Sequence, residues 1–206
     1  MFNNGSSQKT AFLLVINGCP ATGKTSLALE LAKRLRVDTI VQTDVIKEVI
    51  RSFNPSSPAC GNSHNVWKLL GEKNKKNILK GLQMHIKEYE DVLPKIALQY
   101  LSNGISIIIE GVQVTPEIFS KIDWPNKIGV FLRMHSKRTQ FARFDLKNKQ
   151  RTVFHSQWYE NHDCMKIIDK YLSTEARKMN YLIPDNYKSI KEIADIVIND
   201  IKTKSH

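Results

Sequence analysis

The sequence is poor in cysteine and in long apolar runs. Its 206 residues include three cysteines, at positions 19, 60 and 164, and no two of them have CxxC spacing. Such cysteines argue against a disulfide framework and a zinc site, and they favour a reducing cytoplasm. The longest apolar runs, AFLLVI and ISIII, fall far short of the roughly 20 residues that span a bilayer. We therefore expect buried strands and no membrane partner.

A secretory signal, internal repeats and long linkers are absent as well. Residues 1–10 are polar and lack the apolar segment that a secretory signal requires, so we expect a flexible lead-in there. Along the rest of the chain, no shift in amino-acid composition marks a domain boundary. The sequence is therefore interpreted as one domain over residues 1–206.

Acidic residues are fewer than basic ones. The chain has 31 Lys and Arg against 20 Asp and Glu, which gives a formal net charge of +11. This excess favours anionic partners. Lysine-rich, solvated helix faces such as GEKNKKNILK can account for much of it, so the charge alone does not establish a nucleic-acid site.

Short β-branched runs alternate with longer helical patterns, which is typical of an α/β domain with a mainly parallel sheet. A long helix is predicted over 78–102, with a possible kink at Pro94. Segment 52–76, which includes a loop rich in Pro, Ser and Gly, is interpreted as an insertion on the substrate side. The five predicted strands are 12–17, 39–42, 105–109, 127–133 and 181–184.

Residues 18–25, GCPATGKT, match the GxxxxGK[ST] pattern of a phosphate-binding loop. The motif lies between a strand pattern and a helix pattern, as it requires. Its glycines let the backbone curl around an anion, and N–H groups at the helix start point at that anion. Lys24 is expected to reach the β and γ phosphates of ATP, and Thr25 is expected to bind Mg²⁺. The predicted nucleotide-binding residues of this loop are Gly18, Ala21, Thr22, Gly23, Lys24, Thr25 and Ser26.

The fold is therefore predicted to be a P-loop NTPase three-layer sandwich of the nucleoside or nucleotide kinase type, with a five-stranded sheet and a helical lid. Asp44 follows the second predicted strand, where ligands bind in open parallel sheets. Its carboxylate could accept the proton of an attacking hydroxyl, and Asp44 is a candidate catalytic and substrate-binding residue. The alternative is an N-cap for the helix that follows, and one side chain could serve both roles.

Glu110 ends the apolar run of the third strand and is a candidate Mg²⁺ ligand. The alternative is an ordinary solvated acid at a strand end. Gly111, immediately after it, indicates a close backbone approach. We find no NKxD pattern for guanine recognition, which weakens a GTPase interpretation.

Segment 136–155 is predicted to form a basic lid that closes over the triphosphate. An arginine there could neutralise charge during phosphoryl transfer, and Arg143 is the first candidate, with Arg138 second as a nucleotide-binding residue. A solvated basic face is the alternative. We assign no role to the histidines at 135 and 155. The cationic side chains of this region are Arg133, Arg138, Arg143, Lys147, Lys149 and Arg151.

Three stretches, TDVIKEVIR, GLQMHIKEYEDVLPKIALQYLSNGISIIIEGVQVTP and IIDKYLSTEARKMNYLIPDN, resemble the 2-phosphoglycerate kinase-like family of P-loop small-molecule kinases. The resemblance covers about 12–200. It implies transfer from ATP, with Mg²⁺, to the hydroxyl of a small phosphorylated hydroxy acid.

By position, the resemblance assigns a phosphate loop to 18–26. It assigns the remaining roles to Asp44, to Lys47 and Arg51 as substrate-side cations, to Glu110, and to Arg143 in the lid. Lys47 stands where the family pattern leads us to expect Arg, and Gln113, a candidate substrate-binding residue, stands where it usually has His. Lys cannot form a bidentate guanidinium clamp, and Gln cannot titrate near neutral pH.

These observations favour a kinase that phosphorylates a small anionic metabolite. One alternative is a nucleic-acid 5′-hydroxyl end kinase, suggested by the charge and by the aromatic residues in RTVFHSQWYENH. In that stretch Trp158 and Tyr159 are interpreted as lid-packing residues rather than base-stacking platforms. Another alternative is a non-catalytic, nucleotide-dependent binding module. The presence of the candidate catalytic and metal-binding residues argues against it, namely Lys24, Thr25, Asp44 and Glu110.

Overall fold

A computed structural model describes residues 11–150, 152–185 and 188–204. The lead-in 1–10 and Arg151 of the predicted lid lie outside the described residues. A parallel sheet forms the centre, with the strand order β2-β3-β1-β4. Its strands are β1 (Leu13–Gly18), β2 (Thr39–Gln42), β3 (Ile107–Gly111) and β4 (Lys127–Leu132).

The predicted fifth strand at 181–184 is wrong as a full strand. The described residues form a four-stranded sheet, to which Leu182 adds a single parallel bridge beside Val130. The Tyr181 N–H donates instead to the carbonyl of Ala176, at the end of the preceding helix. Pro184 has no N–H to give to a sheet. Leu182 alone is left to pair, and the prediction overextended the strand.

Helices cover both faces of the sheet, so the predicted three-layer α/β architecture is confirmed. On β1, Leu14 and Ile16 pack toward one face with Leu27, while Leu13 and Val15 pack toward the other. Burial on both faces explains why this strand is an unbroken apolar run. The first face is covered by α1 (Lys24–Leu35) and α9 (Ile190–Lys204), and the second by α3 (Lys75–Ile86), α4 (Tyr89–Ser102), α5 (Pro116–Ser120) and α8 (His162–Lys178). The remaining helices are α2 (Thr43–Phe53), α6 (Lys137–Lys149) and α7 (Gln157–Glu160).

The long helix predicted over 78–102 is two helices. The break lies at Lys87 and Glu88, between α3 and α4, whereas Pro94 lies inside α4. The prediction of one continuous helix is therefore wrong, and the interruption lies upstream of Pro94. A proline ring clashes with the carbonyl four residues earlier, here that of Glu90, and removes one hydrogen bond. The interruption lies just upstream of Glu90.

The insertion between α2 and α3 is ordered by two short 3₁₀ helices, Pro58–Cys60 and Val66–Leu70. It is tied to its surroundings by the Tyr89 hydroxyl, which donates to the carbonyl of Ala59 at 3.2 Å, and by Arg51, whose Nη2 donates to the carbonyl of Cys60 at 2.6 Å. These contacts fix the insertion beside the carboxyl ends of the strands. Across the described ranges, no helix is both long and apolar enough to cross a membrane.

Candidate active site

The phosphate-binding loop connects β1 to α1. Ala21 and Gly23 adopt left-handed backbone angles, with φ of 59° and 104°, and these turn the chain into the helix. The Thr22 hydroxyl and the Lys24 ammonium each donate to the carbonyl of Cys19 at 2.9 Å. The first turn of α1 contains no acidic residue, so the positive end of the helix dipole is not compensated there. The loop therefore offers an anion-binding N-terminus with a lysine beside it.

Thr25 and Glu110, the two predicted Mg²⁺ ligands, lie together. The Thr25 hydroxyl donates to Oε1 of Glu110 at 2.6 Å. Glu110 is only 5% exposed, so the solvated-acid alternative is wrong. The described residues contain no cluster of three or more His, Cys, Asp or Glu side chains that could hold a metal. A hydroxyl and a carboxylate nevertheless suit Mg²⁺, which commonly uses one or two carboxylates together with substrate phosphates.

Asn17, which the sequence analysis missed, holds the end of β1 against the chain that follows β3. Its Nδ2 donates to the carbonyls of Gly111 and Val112 at 3.0 and 3.1 Å, and the side chain is fully buried. A polar residue at the end of an otherwise apolar strand was the available signal. Through these bonds Asn17 fixes the backbone beside Glu110.

The close approach predicted at Gly111 is confirmed. A Cβ at this position would lie 1.6 Å from Oγ1 of Thr43, at the start of α2. The same hydroxyl donates to Oε1 of Gln113, and both side chains are buried. Gln113 is thus held between β3 and α2, beside the residues of the predicted site.

Asp44 lies in the first turn of α2, which begins one residue earlier, at Thr43. The N-cap residue is Gln42, and no side chain caps the helix, so the cap alternative for Asp44 is wrong. The carboxylate is 79% exposed and forms an ion pair with Lys47 at 3.2 Å. Partial desolvation acts to raise the pKa of Asp44, but Lys47 and the more distant Lys24 outweigh it and hold the pKa below its usual range.

Two cavities meet at the phosphate-binding loop. The large cleft, about 610 Å³, is lined on one side by Asp44, Lys47 and Arg51 and on another by Glu110 and Gln113. The small cleft, about 360 Å³, is lined by loop and α1 residues together with Arg143 and Ile190. Lys24, Thr25 and Lys147 line both. Thus every predicted substrate-side residue lines the large cleft, and the loop residues Ala21, Gly23 and Ser26 line the small one.

Arg143 projects from α6 onto the loop, where its Nη1 donates to the carbonyls of Ala21 and Thr22 at 3.3 and 3.0 Å. Burial lowers the pKa of its guanidinium. Gln140, one turn earlier, donates to the carbonyl of Pro20 at 2.7 Å and was missed by the sequence analysis. Arg138 lies on the exposed face of the same helix and lines neither cleft. The structure therefore brings Arg143 to the loop but not Arg138.

The aromatic residues after α6 form a packed cluster. Trp158 contacts Phe144 with 5.4 Å between ring centroids, and Tyr159 packs edge-on against Phe141 and Phe144. The Tyr159 hydroxyl donates to Asp145 at 2.6 Å. The interpretation of Trp158 and Tyr159 as packing residues of this region is confirmed.

No protein-family model matches the chain. It is 25% identical over 190 residues to a 2-phosphoglycerate kinase of Methanococcus maripaludis, in an alignment that covers 87% of this chain and 61% of that protein. The chain therefore spans about three fifths of the length of the curated relatives it matches first. It is also 25% identical over 111 residues to a mevalonate-3-phosphate 5-kinase of Thermoplasma acidophilum, covering 53% of this chain and 55% of that one.

Among solved structures, the shikimate kinase of Acinetobacter baumannii superposes with a TM-score of 0.54 at 16% identity and covers 94% of both chains. This likeness shows the P-loop kinase fold. ATP with Mg²⁺ is the usual cofactor pair of such kinases, in agreement with the cofactors predicted here. The sequence similarities and the fold together confirm that this chain resembles the 2-phosphoglycerate kinase-like family of P-loop small-molecule kinases.

Proposed function

We propose that the chain is an ATP-dependent kinase that transfers the γ-phosphoryl group to the hydroxyl of a small anionic metabolite, of the phosphorylated hydroxy-acid type. The observation that carries the proposal is the junction of two cavities at Lys24 and Thr25. A phosphotransferase must bind a donor and an acceptor on opposite sides of the transferred group, whereas hydrolysis needs no second organic site. The named kinases of phosphorylated metabolites to which the chain is similar support this acceptor class.

The loop residues act on the donor. We assign the small cleft to the nucleotide, with Ala21, Gly23 and Ser26 around its phosphates. Lys24 neutralises charge on the β and γ phosphates. Thr25 and Glu110, whose side chains are hydrogen-bonded to each other, would hold Mg²⁺, and the ion would supply further charge neutralisation.

Asp44 acts on the acceptor. The acceptor's hydroxyl oxygen forms a bond to the γ-phosphorus while the bond to the β-γ bridging oxygen breaks, ADP leaves, and the hydroxyl proton passes to the Asp44 carboxylate. Because the transition state of phosphoryl transfer is loose, a carboxylate with a lowered pKa is sufficient to orient the hydroxyl and accept its proton late. Lys47 and Arg51 would attract the anionic groups of the acceptor, with Gln113 as a further contact.

Arg143 and segment 136–155 form the proposed lid. Arg143 is joined to the loop carbonyls, from where it could neutralise charge during transfer. Limited proteolysis tests the lid: an ATP analogue with Mg²⁺ should protect the segment around 138–151. Equal cleavage with and without the analogue would refute the assignment.

The function is tested by ADP release with ATP and Mg²⁺, coupled to a spectroscopic readout. The acceptor panel contains phosphorylated hydroxy acids, sugars, nucleosides and 5′-hydroxyl oligonucleotides, with Lys24→Ala as the control. Acceptor-dependent turnover by the wild type alone supports the proposal and names the acceptor. Turnover with oligonucleotides only would establish the end kinase instead, and nucleotide binding without turnover on any acceptor would indicate a binding module.

A further inference from the structure

A pair of buried histidines beside the large cleft has no role in the proposed transfer. His64 lies between the two 3₁₀ helices of the insertion, is 2% exposed and is among the residues that line the cleft. Neither of its ring nitrogens has a hydrogen-bond partner among the described residues. His85, on α3, is fully buried and contacts the carbonyl of Pro58 through Nδ1 at 3.2 Å, while its Nε2 also has no such partner.

An imidazole in this position is costly to folding. A buried polar group without a partner loses its hydrogen bonds to water without replacing them, and the large majority of buried side-chain polar atoms in proteins do have a partner. His64 lines a cavity that also contains Lys47 and Asp44, and both of its ring nitrogens are buried in the wall, with no exposed surface. An apolar residue of similar size would avoid this cost, so the histidine points to a partner that enters the cleft.

The surroundings of His64 are cationic. Lys47 faces it from α2, Lys68 from the second 3₁₀ helix, and His85 from α3. Burial lowers the pKa of His64 to about 3, with further contributions from His85, Lys47 and Lys68. The ring is therefore neutral at physiological pH and presents one N–H donor and one acceptor nitrogen. An anionic oxygen is the complementary partner, because it accepts the N–H and is attracted by Lys47 and Lys68.

We propose that His64 determines acceptor specificity: when an acceptor binds in the large cleft, the His64 ring turns so that its N–H donates a hydrogen bond to a carboxylate or phosphate oxygen of the acceptor, and Lys47 supplies the charge. The proposal deepens, and rests on, the assignment of this cleft to the acceptor. His64 takes no proton in the transfer, which leaves that step to Asp44.

Three substitutions of His64 distinguish the loss of a hydrogen-bond donor from a change in side-chain shape. His64→Leu fills the space without a donor, whereas Asn and Gln place an amide N–H near the position of Nδ1 or Nε2, respectively. His162, on α8, is the control, because it is also 2% exposed, its ring nitrogens form no hydrogen bond with the described residues, and it lies outside both clefts, although its Nδ1 lies 3.7 Å from Oδ1 of Asp163. His162→Leu therefore reports the effect of replacing a buried histidine as such.

We expect His64→Leu to raise the KM for the acceptor at least tenfold, while kcat stays within about threefold and the KM for ATP is unchanged. Either His64→Asn or His64→Gln should recover most of the loss and so identify the donating nitrogen. Thermal unfolding of His64→Leu should occur at the same or a higher temperature, because an unpartnered polar group is removed. A lower unfolding temperature together with equal losses in His162→Leu would reduce His64 to a structural residue and overturn the proposal.

Binding measured without turnover keeps this proposal separate from the proposed function. Isothermal titration of the wild type and His64→Leu uses glycerol 2-phosphate, which lacks a carboxylate, and glycerate, which lacks a phosphate. Weaker binding of one probe to His64→Leu identifies the recognised group and supports the proposal even if no acceptor is phosphorylated. If an acceptor is phosphorylated but neither its KM nor the binding of either probe responds to His64→Leu, the inference fails and the kinase assignment stands.

Discussion

Gly111→Ala is expected to damage both stability and the large cleft. The added Cβ would lie 1.6 Å from Oγ1, 2.8 Å from Cβ and 3.0 Å from Cγ2 of Thr43. Because carbon and oxygen atoms normally stay about 3.5 Å apart, Thr43 would have to move by about 2 Å. That movement breaks its hydrogen bond to Gln113 and shifts the start of α2, which carries Asp44.

The loss of unfolding free energy in Gly111→Ala has two contributions. Overpacking a buried contact costs about 1–3 kcal/mol, and a buried hydrogen bond left unmade costs about 1–3 kcal/mol more. Together they remove about 2–6 kcal/mol from a free energy of unfolding that is typically about 5–15 kcal/mol. For a chain of this length each kcal/mol lowers Tm by about 2–4 °C, so the expected decrease is about 4–24 °C.

Urea and thermal unfolding measure the effect, and Gly104→Ala is the matched control. Gly104 has a positive φ of 74°, as Gly111 has one of 154°, but a Cβ there would have no neighbour within 4 Å among the described residues, so only the cost of the left-handed backbone applies, about 1–2 kcal/mol. Adding Thr43→Ala to Gly111→Ala removes Oγ1 and Cγ2 and should restore part of the stability. If Gly111→Ala unfolds no more easily than Gly104→Ala, and Thr43→Ala gives no recovery, the clash argument is refuted.

Three further predictions concern the proposed chemistry. Glu110→Gln should lower kcat about 10–100-fold and increase the Mg²⁺ concentration needed, whereas Thr25→Ser, which keeps the hydroxyl, should remain active in the same Mg²⁺ titration. Lys47 helps to lower the pKa of Asp44, so kcat/KM of the wild type should fall only when the pH drops below the usual carboxylate range. Lys47→Met should move this loss of kcat/KM to higher pH. An unchanged pH profile in Lys47→Met would contradict the pairing of Lys47 with Asp44. Arg143→Met should weaken ATP binding or slow transfer, by about 10-fold or more, as measured with a fluorescent nucleotide and by single turnover; full activity would exclude Arg143 from the site.

Much of the fold could be predicted because its signals are local. The apolar run of β1 is buried on both sheet faces, and the glycine loop between it and α1 is specified by residues that adjoin one another. The fifth strand and the helix over 78–102 were predicted wrongly because those outcomes depend on competing partners. Tyr181 donates to the end of α8 rather than to β4, and the break between α3 and α4 lies away from Pro94 itself.

The candidate site could be predicted in part for the same reason. Lys24 and Thr25 belong to a sequence motif, and Glu110 stands at the end of a strand that the apolar pattern of the sequence locates. Asn17, Gln140 and His64 were missed, since none belongs to a motif and each acts through residues distant in sequence. Gln140 reaches the carbonyl of Pro20, 120 positions away, and Asn17 reaches the backbone after Glu110.

The sequence by itself determined an α/β domain with a phosphate-binding loop, because a helix dipole, a glycine turn and a buried strand need only neighbouring residues. Tertiary structure alone decided that Thr25 donates to Glu110 and that two cavities meet at Lys24. It also decided that His64 is buried beside Lys47 with no hydrogen-bond partner for its ring among the residues that the structure describes. The reason is physical: the parallel register brings separate strand ends to one edge of the sheet, and burial and proximity there set each side chain's charge and contacts.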